Sequence, residues 1–161
     1  MTQSRTMERF ARHFPKGRDV TLVILKGNLL IEEELNDLLT VTVPRPEHLF
    51  SARLTFLQRL RLAQAMYPTE GIDRLAPAIE ILNSARNKLA HQLEPKALAS
   101  TLAEFIELAF WTGSNRSRKP TSPFPSTYTL TALKQALALT LGVLSHLRDT
   151  AASATGGKGA V

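Results

Sequence analysis

The most specific chemistry in this chain lies in two residues five apart, Arg86 and His91. A histidine can take or deliver a proton, and an arginine offers a planar cationic fork to an anion. On a helix the two residues lie ~140° apart, a gap that a long arginine chain can close. Glu80, Asn83, Asn87 and His91 recur at spacings of three and four and form one polar stripe. Arg86 stands on its border with an apolar arc of Leu75, Ala78, Ile79, Ile81, Leu82, Ala85 and Leu89. Asparagine is a poor helix former, so two of them on one face imply selection by something other than propensity.

A second polar pair, Asn28 and Glu32, stands among Ile24, Leu25, Leu35 and Leu39, so both groups should point toward other protein and need partners there. They can make a structural hydrogen bond to an adjacent helix. Alternatively, Glu32 can hold an Arg or His by a charge-assisted bond and so orient a basic site. The plain structural alternative for the motif is an Arg86 paired with Glu80 or Glu32 beside a solvated His91. On the same helix Lys26, Glu33 and Asp37 form a narrow solvent stripe with Glu34 at its edge.

Other chemistries find less support. His13, His48, His91 and His146 show no metal-ligand spacing, and neither a Gly-rich phosphate loop nor a serine nucleophile motif is present. The absence of cysteine excludes disulfides, thiol catalysis and thiolate metal sites. No metal and no cofactor are therefore expected. The segment Gly113–Ser126 carries Arg116, Arg118 and Lys119 beside Phe124, a set that can bind single-stranded RNA through phosphates and stacking or simply be a solvated loop. Twenty Lys and Arg against fourteen Asp and Glu leave a net charge of +6, and thirteen of the twenty are arginine. This balance fits a polyanionic partner, or a genomic composition bias.

The elements that must position these groups are helical nearly throughout. Arg5–His13 is a short basic segment, and Asp19 stands where an N-cap belongs for a helix to about Leu39. Further helices are expected from Ser51 to Met66, from Arg74 to His91 with Pro77 in the first turn, from Lys96 to Trp111, and from Thr127 to Asp149. With 161 residues and 43% hydrophobic composition, the chain should form an all-α, single-domain bundle of about five to six helices. Residues 1–18 are then a basic N-terminal segment, 19–149 the helical domain, and 150–161 a disordered Gly-rich tail. Short apolar runs and an N-terminus without a signal-peptide core lead us to expect a soluble, cytoplasmic protein with no membrane partner.

Arg86-Asn87-Lys88-Leu89-Ala90-His91 matches the Arg-x4-His motif, with a polar residue directly after the Arg, that marks HEPN domains. The string LKGNLLIEEELNDLL resembles the first long helix of the DUF4145-like and mannitol-operon-repressor-like HEPN branches, and AIEILNSARNKLAH resembles their motif helix. The resemblance spans Asp19–Trp111. The HEPN toxins that pair with nucleotidyltransferase antitoxins carry Arg-x4-His-x-Tyr, whereas Leu93 stands at the Tyr position here. The resemblance implies a HEPN-like homodimer whose two motifs share one cleft, and a metal-independent endoribonuclease of toxin or defence type with Arg86 and His91 as catalytic groups. Asn87 would bond the phosphate or the partner motif, with Asn83, Asn28 and Glu32 in support. A cognate antitoxin or other protein partner is also implied. The alternative is a non-catalytic transcriptional regulator or a protein- or nucleotide-binding module resembling the mannitol operon repressor.

Overall fold

Caps and prolines divide the chain into its helices. The computed structural model describes residues 2–67 and 69–156. The basic N-terminal segment forms α1 (Thr2–His13). The Asp19 carboxylate then accepts from the Leu22 N–H at 3.0 Å and starts α2 (Val20–Thr42). Pro46 occupies the first turn of a short α3 (Pro46–Ser51), and α4 (Phe56–Met66) follows. The bundle is completed by α5 (Glu70–His91), α6 (Leu98–Thr112) and α7 (Leu130–Gly156). All regular structure among the described residues is helical, as the periodicity requires.

Three boundaries differ by four residues or more from those expected. The helix expected from Ser51 to Met66 starts only at Phe56, and a separate short helix, α3, precedes it. Thr55 and Gln58 form a capping box that restarts the chain at Phe56, with the Thr55 N–H donating to Gln58 Oε1 at 2.9 Å. Ser51 instead closes α3, its hydroxyl donating to the His48 carbonyl at 2.8 Å, and Arg53 takes a left-handed φ of 51°. With α3 added, the described residues form seven helices rather than five to six. The α5 helix begins at Glu70, not Arg74, because Glu70 and Asp73 complement the dipole of its first turn and Ile72 extends the buried arc. Pro77 consequently lies in the second turn. Residues 150–156, expected as tail, continue α7 with Ala151 buried, while 157–161 lie outside the described residues.

The core forms where α2, α5, α6 and α7 meet, through Val23, Ile31, Leu35, Ile79, Leu82, Phe105, Leu137 and Leu144, all essentially inaccessible. The most extensive packing joins α2 to α7. Gly27 lies at that crossing: a Cβ there would stand 2.8 Å from Leu137 Cδ2, closer than packed atoms tolerate. By length and composition Leu130–Ala154 could cross a membrane, but in this bundle it packs against α1, α2, α5 and α6.

The other bond between α2 and α7 is ionic. The Arg148 guanidinium donates to Glu34 Oε2 at 2.7 Å, with 8% and 3% of the two side chains exposed. The Thr6 hydroxyl of α1 donates to Glu34 Oε1 at 2.8 Å, and Arg148 also donates to Ser145 Oγ at 3.0 Å and Asp149 Oδ1 at 3.2 Å. Arg9 pairs with Glu33 and approaches Asp37, so the expected solvent stripe of α2 is partly covered by α1 and Glu34 is buried. The basic N-terminal segment is thereby packed onto the domain. Burial pushes the Glu34 pKa above its ordinary value, against the opposing pull of the Thr6 hydrogen bond and Arg148.

Replacing Arg148 by Met should strand this carboxylate and cost about 3–5 kcal/mol in denaturant unfolding near neutral pH. A carboxyl whose folded-state pKa is raised contributes most stability below its unfolded pKa, and that contribution is lost as pH rises through the folded value. The Arg148→Met variant should therefore regain stability as pH falls from neutrality toward the ordinary carboxylate range. A deficit that does not shrink on acidification would contradict a stranded Glu34.

Candidate functional site

The C-terminal half of α5 faces the middle of α2 and the start of α4, and two adjoining depressions open there. The first, about 490 Å³, is lined by Asn28 and Glu32 of α2, by Leu54–Leu57 at the entry to α4, and by Asn83, Arg86 and Asn87 of α5. The second, about 590 Å³, holds His91 with Glu80, Ser84 and Lys88 and shares Leu57, Asn83 and Asn87 with the first. Helical spacing explains the grouping, since Asn83, Asn87 and His91 run along one face of α5 over two turns. The structure thus gathers Asn28, Glu32, Asn83, Arg86 and Asn87 at one depression and sets His91 in its neighbour.

The charges around the motif differ from the expected pairing. Glu32 is bound by Arg59 of α4, and Glu80 is bound by Arg61 at 2.9 Å. Both acids offered as structural partners for Arg86 are therefore engaged elsewhere. The cause is the placement of α4, which carries Arg59 to α2 and Arg61 to α5. Arg86 is exposed and donates to the Asn87 side-chain oxygen at 3.1 Å, and no carboxylate pairs with it among the described residues. His91, in the last turn of α5, is exposed and makes no ion pair among the described residues.

The expectation that Asn28 and Glu32 point inward holds for direction. Asn28 is 4% exposed, yet its Oδ1 is buried with no hydrogen-bond partner. Asn83, across from it on α5, is 7% exposed. Among the described residues no group of three His, Asp or Glu side chains could hold a metal ion.

Arg116, Arg118 and Lys119 are not brought to this site. The Arg74 guanidinium lies over the Trp111 ring at 4.5 Å and donates to the carbonyls of Trp111, Ser114 and Arg116 at 3.1, 3.2 and 2.7 Å. The Trp111 indole N–H also donates to the Arg116 carbonyl, at 3.0 Å. Arg74 precedes Arg86 by twelve residues, or ~18 Å along α5. The basic loop is thus pinned to the end of α5 opposite the motif.

No protein-family model, curated protein or solved structure matches the chain.

Replacing Arg74 by Met should remove the printed partner of the Ser114 carbonyl and one partner each of the Trp111 and Arg116 carbonyls, and lower stability by about 1–3 kcal/mol. Because Trp111 is the single tryptophan, release of the loop should be visible as a shift in its emission. Unchanged emission together with unchanged stability would show that Arg74 does not anchor the loop.

Proposed function

We propose that the chain is a metal-independent endoribonuclease acting as a homodimer, with Arg86 and His91 as catalytic residues. The observation that carries this reading is the state of Arg86. Glu32 and Glu80, the acids offered to it, are each engaged by another arginine, so its cation is free beside a polar depression and five residues along α5 from an exposed imidazole. An arginine kept out of ion pairs is suited to a phosphate, which its planar fork can engage through two hydrogen bonds. The resemblance of RNKLAH to the HEPN motif supports the same roles, in a cytoplasmic toxin or defence nuclease held in check by a protein partner.

The chemistry then runs through the chain's own groups. Neutral His91 takes the proton of the ribose 2′-OH as that oxygen attacks phosphorus. Arg86 stabilises the charge gathering on the non-bridging oxygens, and Asn87 orients its guanidinium. The P–O5′ bond breaks, and the leaving oxygen takes a proton from the protonated His91 of the second copy. A 2′,3′-cyclic phosphate and a 5′-OH result. Apolar side chains at the same end support dimerisation, since Leu93 is 100% and Leu57 44% exposed and Leu49, Leu54 and Leu62 line a further groove with Leu57.

RNA cleavage should survive EDTA, spare a 2′-deoxy substrate, and fall roughly 10²–10⁴-fold in His91→Ala with RNA affinity little changed. Arg86→Met should lower rate and affinity together. An RNase signal undiminished in His91→Ala, or a wild type that does not cut RNA, would sink the reading and favour a non-catalytic regulator.

Charging the apolar end with Leu57→Asp and Leu93→Asp should convert a sedimenting dimer to monomer and abolish cleavage. A wild type that sediments as monomer at micromolar concentration, or full activity in the doubly charged variant, would remove the composite cleft.

A further inference from the structure

Cations without a carboxylate partner also gather at the turn from α1 to α2. Arg12, Lys16 and Arg18 are exposed there, and none of them makes an ion pair among the described residues. Glu33 and Asp19 are already used: Glu33 pairs with Arg9, and the Asp19 carboxylate caps α2. His13 and Lys26 line a depression of about 200 Å³ beside that Arg9–Glu33 pair. The turn is held in one shape by α7, since the Lys134 ammonium donates to the carbonyls of Pro15 and Gly17 at 3.0 and 3.1 Å. Phe10 stacks on Phe14 with ring centroids 4.2 Å apart, and Pro15 is buried. Lys16 and Arg18 are thereby offered to solvent from a fixed backbone. A fixed array of unpaired cations suits a partner that carries several negative charges in a row, as a nucleic-acid backbone does.

This turn stands at the motif end of the bundle. Gly27 meets Leu137 and Glu34 meets Arg148, so α2 and α7 run in the same direction and start together. Gly71, at the start of α5, lies against Leu147 late in α7, and by Asn83 the helix is level with Asn28. It therefore descends toward the starts of α2 and α7 and ends there in His91. Lys26 of the basic corner and Asn28 of the Arg86 depression are two residues apart, ~3 Å along the axis and ~160° around it. We infer that the α1–α2 turn is an exosite for single-stranded RNA, holding its phosphates on Arg12, Lys16 and Arg18 while the bond to be cut lies at Arg86 and His91. Between the two flanks the strand has to turn around α2, which a flexible single strand does and a stiff duplex does not. The exosite rests on the ribonuclease reading and gives it a substrate class: RNA several nucleotides long, held here without regard to base because the contacts are to phosphate.

The test uses the full chain and measures binding apart from cleavage, with a labelled single-stranded 2′-O-methyl oligoribonucleotide that offers no 2′-OH for attack. Changing Arg12, Lys16 and Arg18 together to Gln should weaken binding roughly tenfold at physiological salt and lower the slope of log affinity against log salt by about two, since each phosphate contact to a single strand carries ~0.7. The same loss of three charges at the far end of α5, with Arg116, Arg118 and Lys119 changed to Gln, should leave both quantities near wild type, which separates a site from net charge. Should the corner variant fail to fold, Lys16→Gln alone decides the matter, with an expected loss of ~0.7 in slope. In cleavage assays the corner variant should raise KM for a long RNA with kcat unchanged, as a loss of uniform binding does, and should cut a dinucleoside monophosphate as the wild type does. Equal weakening in the two triple variants overturns the exosite, as does an unchanged salt slope in the corner variant. Polyglutamate bound as tightly as the oligonucleotide overturns it too, in favour of an acidic protein. The two readings fail separately: RNA cleavage whose KM ignores the corner variant removes the exosite alone, and RNA binding at the corner by a wild type that does not cut RNA removes the nuclease alone.

Discussion

A buried ion pair fixes how the helix carrying half of the candidate site is turned. Glu34 and Arg148 are taken out of water together, and each is tolerable there only because the other, with Thr6 and Ser145, satisfies it. Rotating or sliding α2 against α7 would strand a charge in the core, a far larger penalty than repacking a leucine. Asn28 and Glu32 stand ~120–160° around the helix axis from Glu34. With Glu34 held against α1 and α7, those two residues must face α4 and α5. Gly27, flush against Leu137, brings the same two helices close enough for the pair to form.

The α5 helix works from that frame as a strut with different tasks at its two ends. Its N-terminal end holds Arg74, which stacks on Trp111 and ties down the loop that follows α6. Its C-terminal end carries Arg86, Asn87 and His91 into the depressions beside α2 and α4. Cationic side chains divide accordingly. Arg59, Arg61, Arg74 and Arg148 are consumed in structural bonds, whereas Arg86 pairs with no carboxylate among the described residues. Net charge alone could not have separated these roles.

Several features of the molecule were legible in the residues themselves. Period 3.6 and the lack of any sustained alternation prescribed an all-α bundle, and the spacing of Glu80, Asn83, Asn87 and His91 put them on one face of α5, where they line one depression. Asn28 and Glu32 could be seen to point inward because their wheel neighbours are aliphatic. These are local properties, carried by the geometry of a single helix and by the capping preferences of Asp19 and its like.

What only the packing decided is which groups meet across helices. The wheel put Glu34 at the edge of a solvent face, and α1 buried it. The partner of Glu32 proved to be Arg59, twenty-seven residues away, because a capping box at Thr55 rather than Ser51 starts the helix that carries it. The basic loop was a candidate for the site until Arg74 and Trp111 held it at the far end of α5. Helical periodicity tells which side of a cylinder is apolar. It does not tell which cylinder lies against that side, and the freedom of Arg86 and the unsatisfied oxygen of Asn28 both depend on that neighbour.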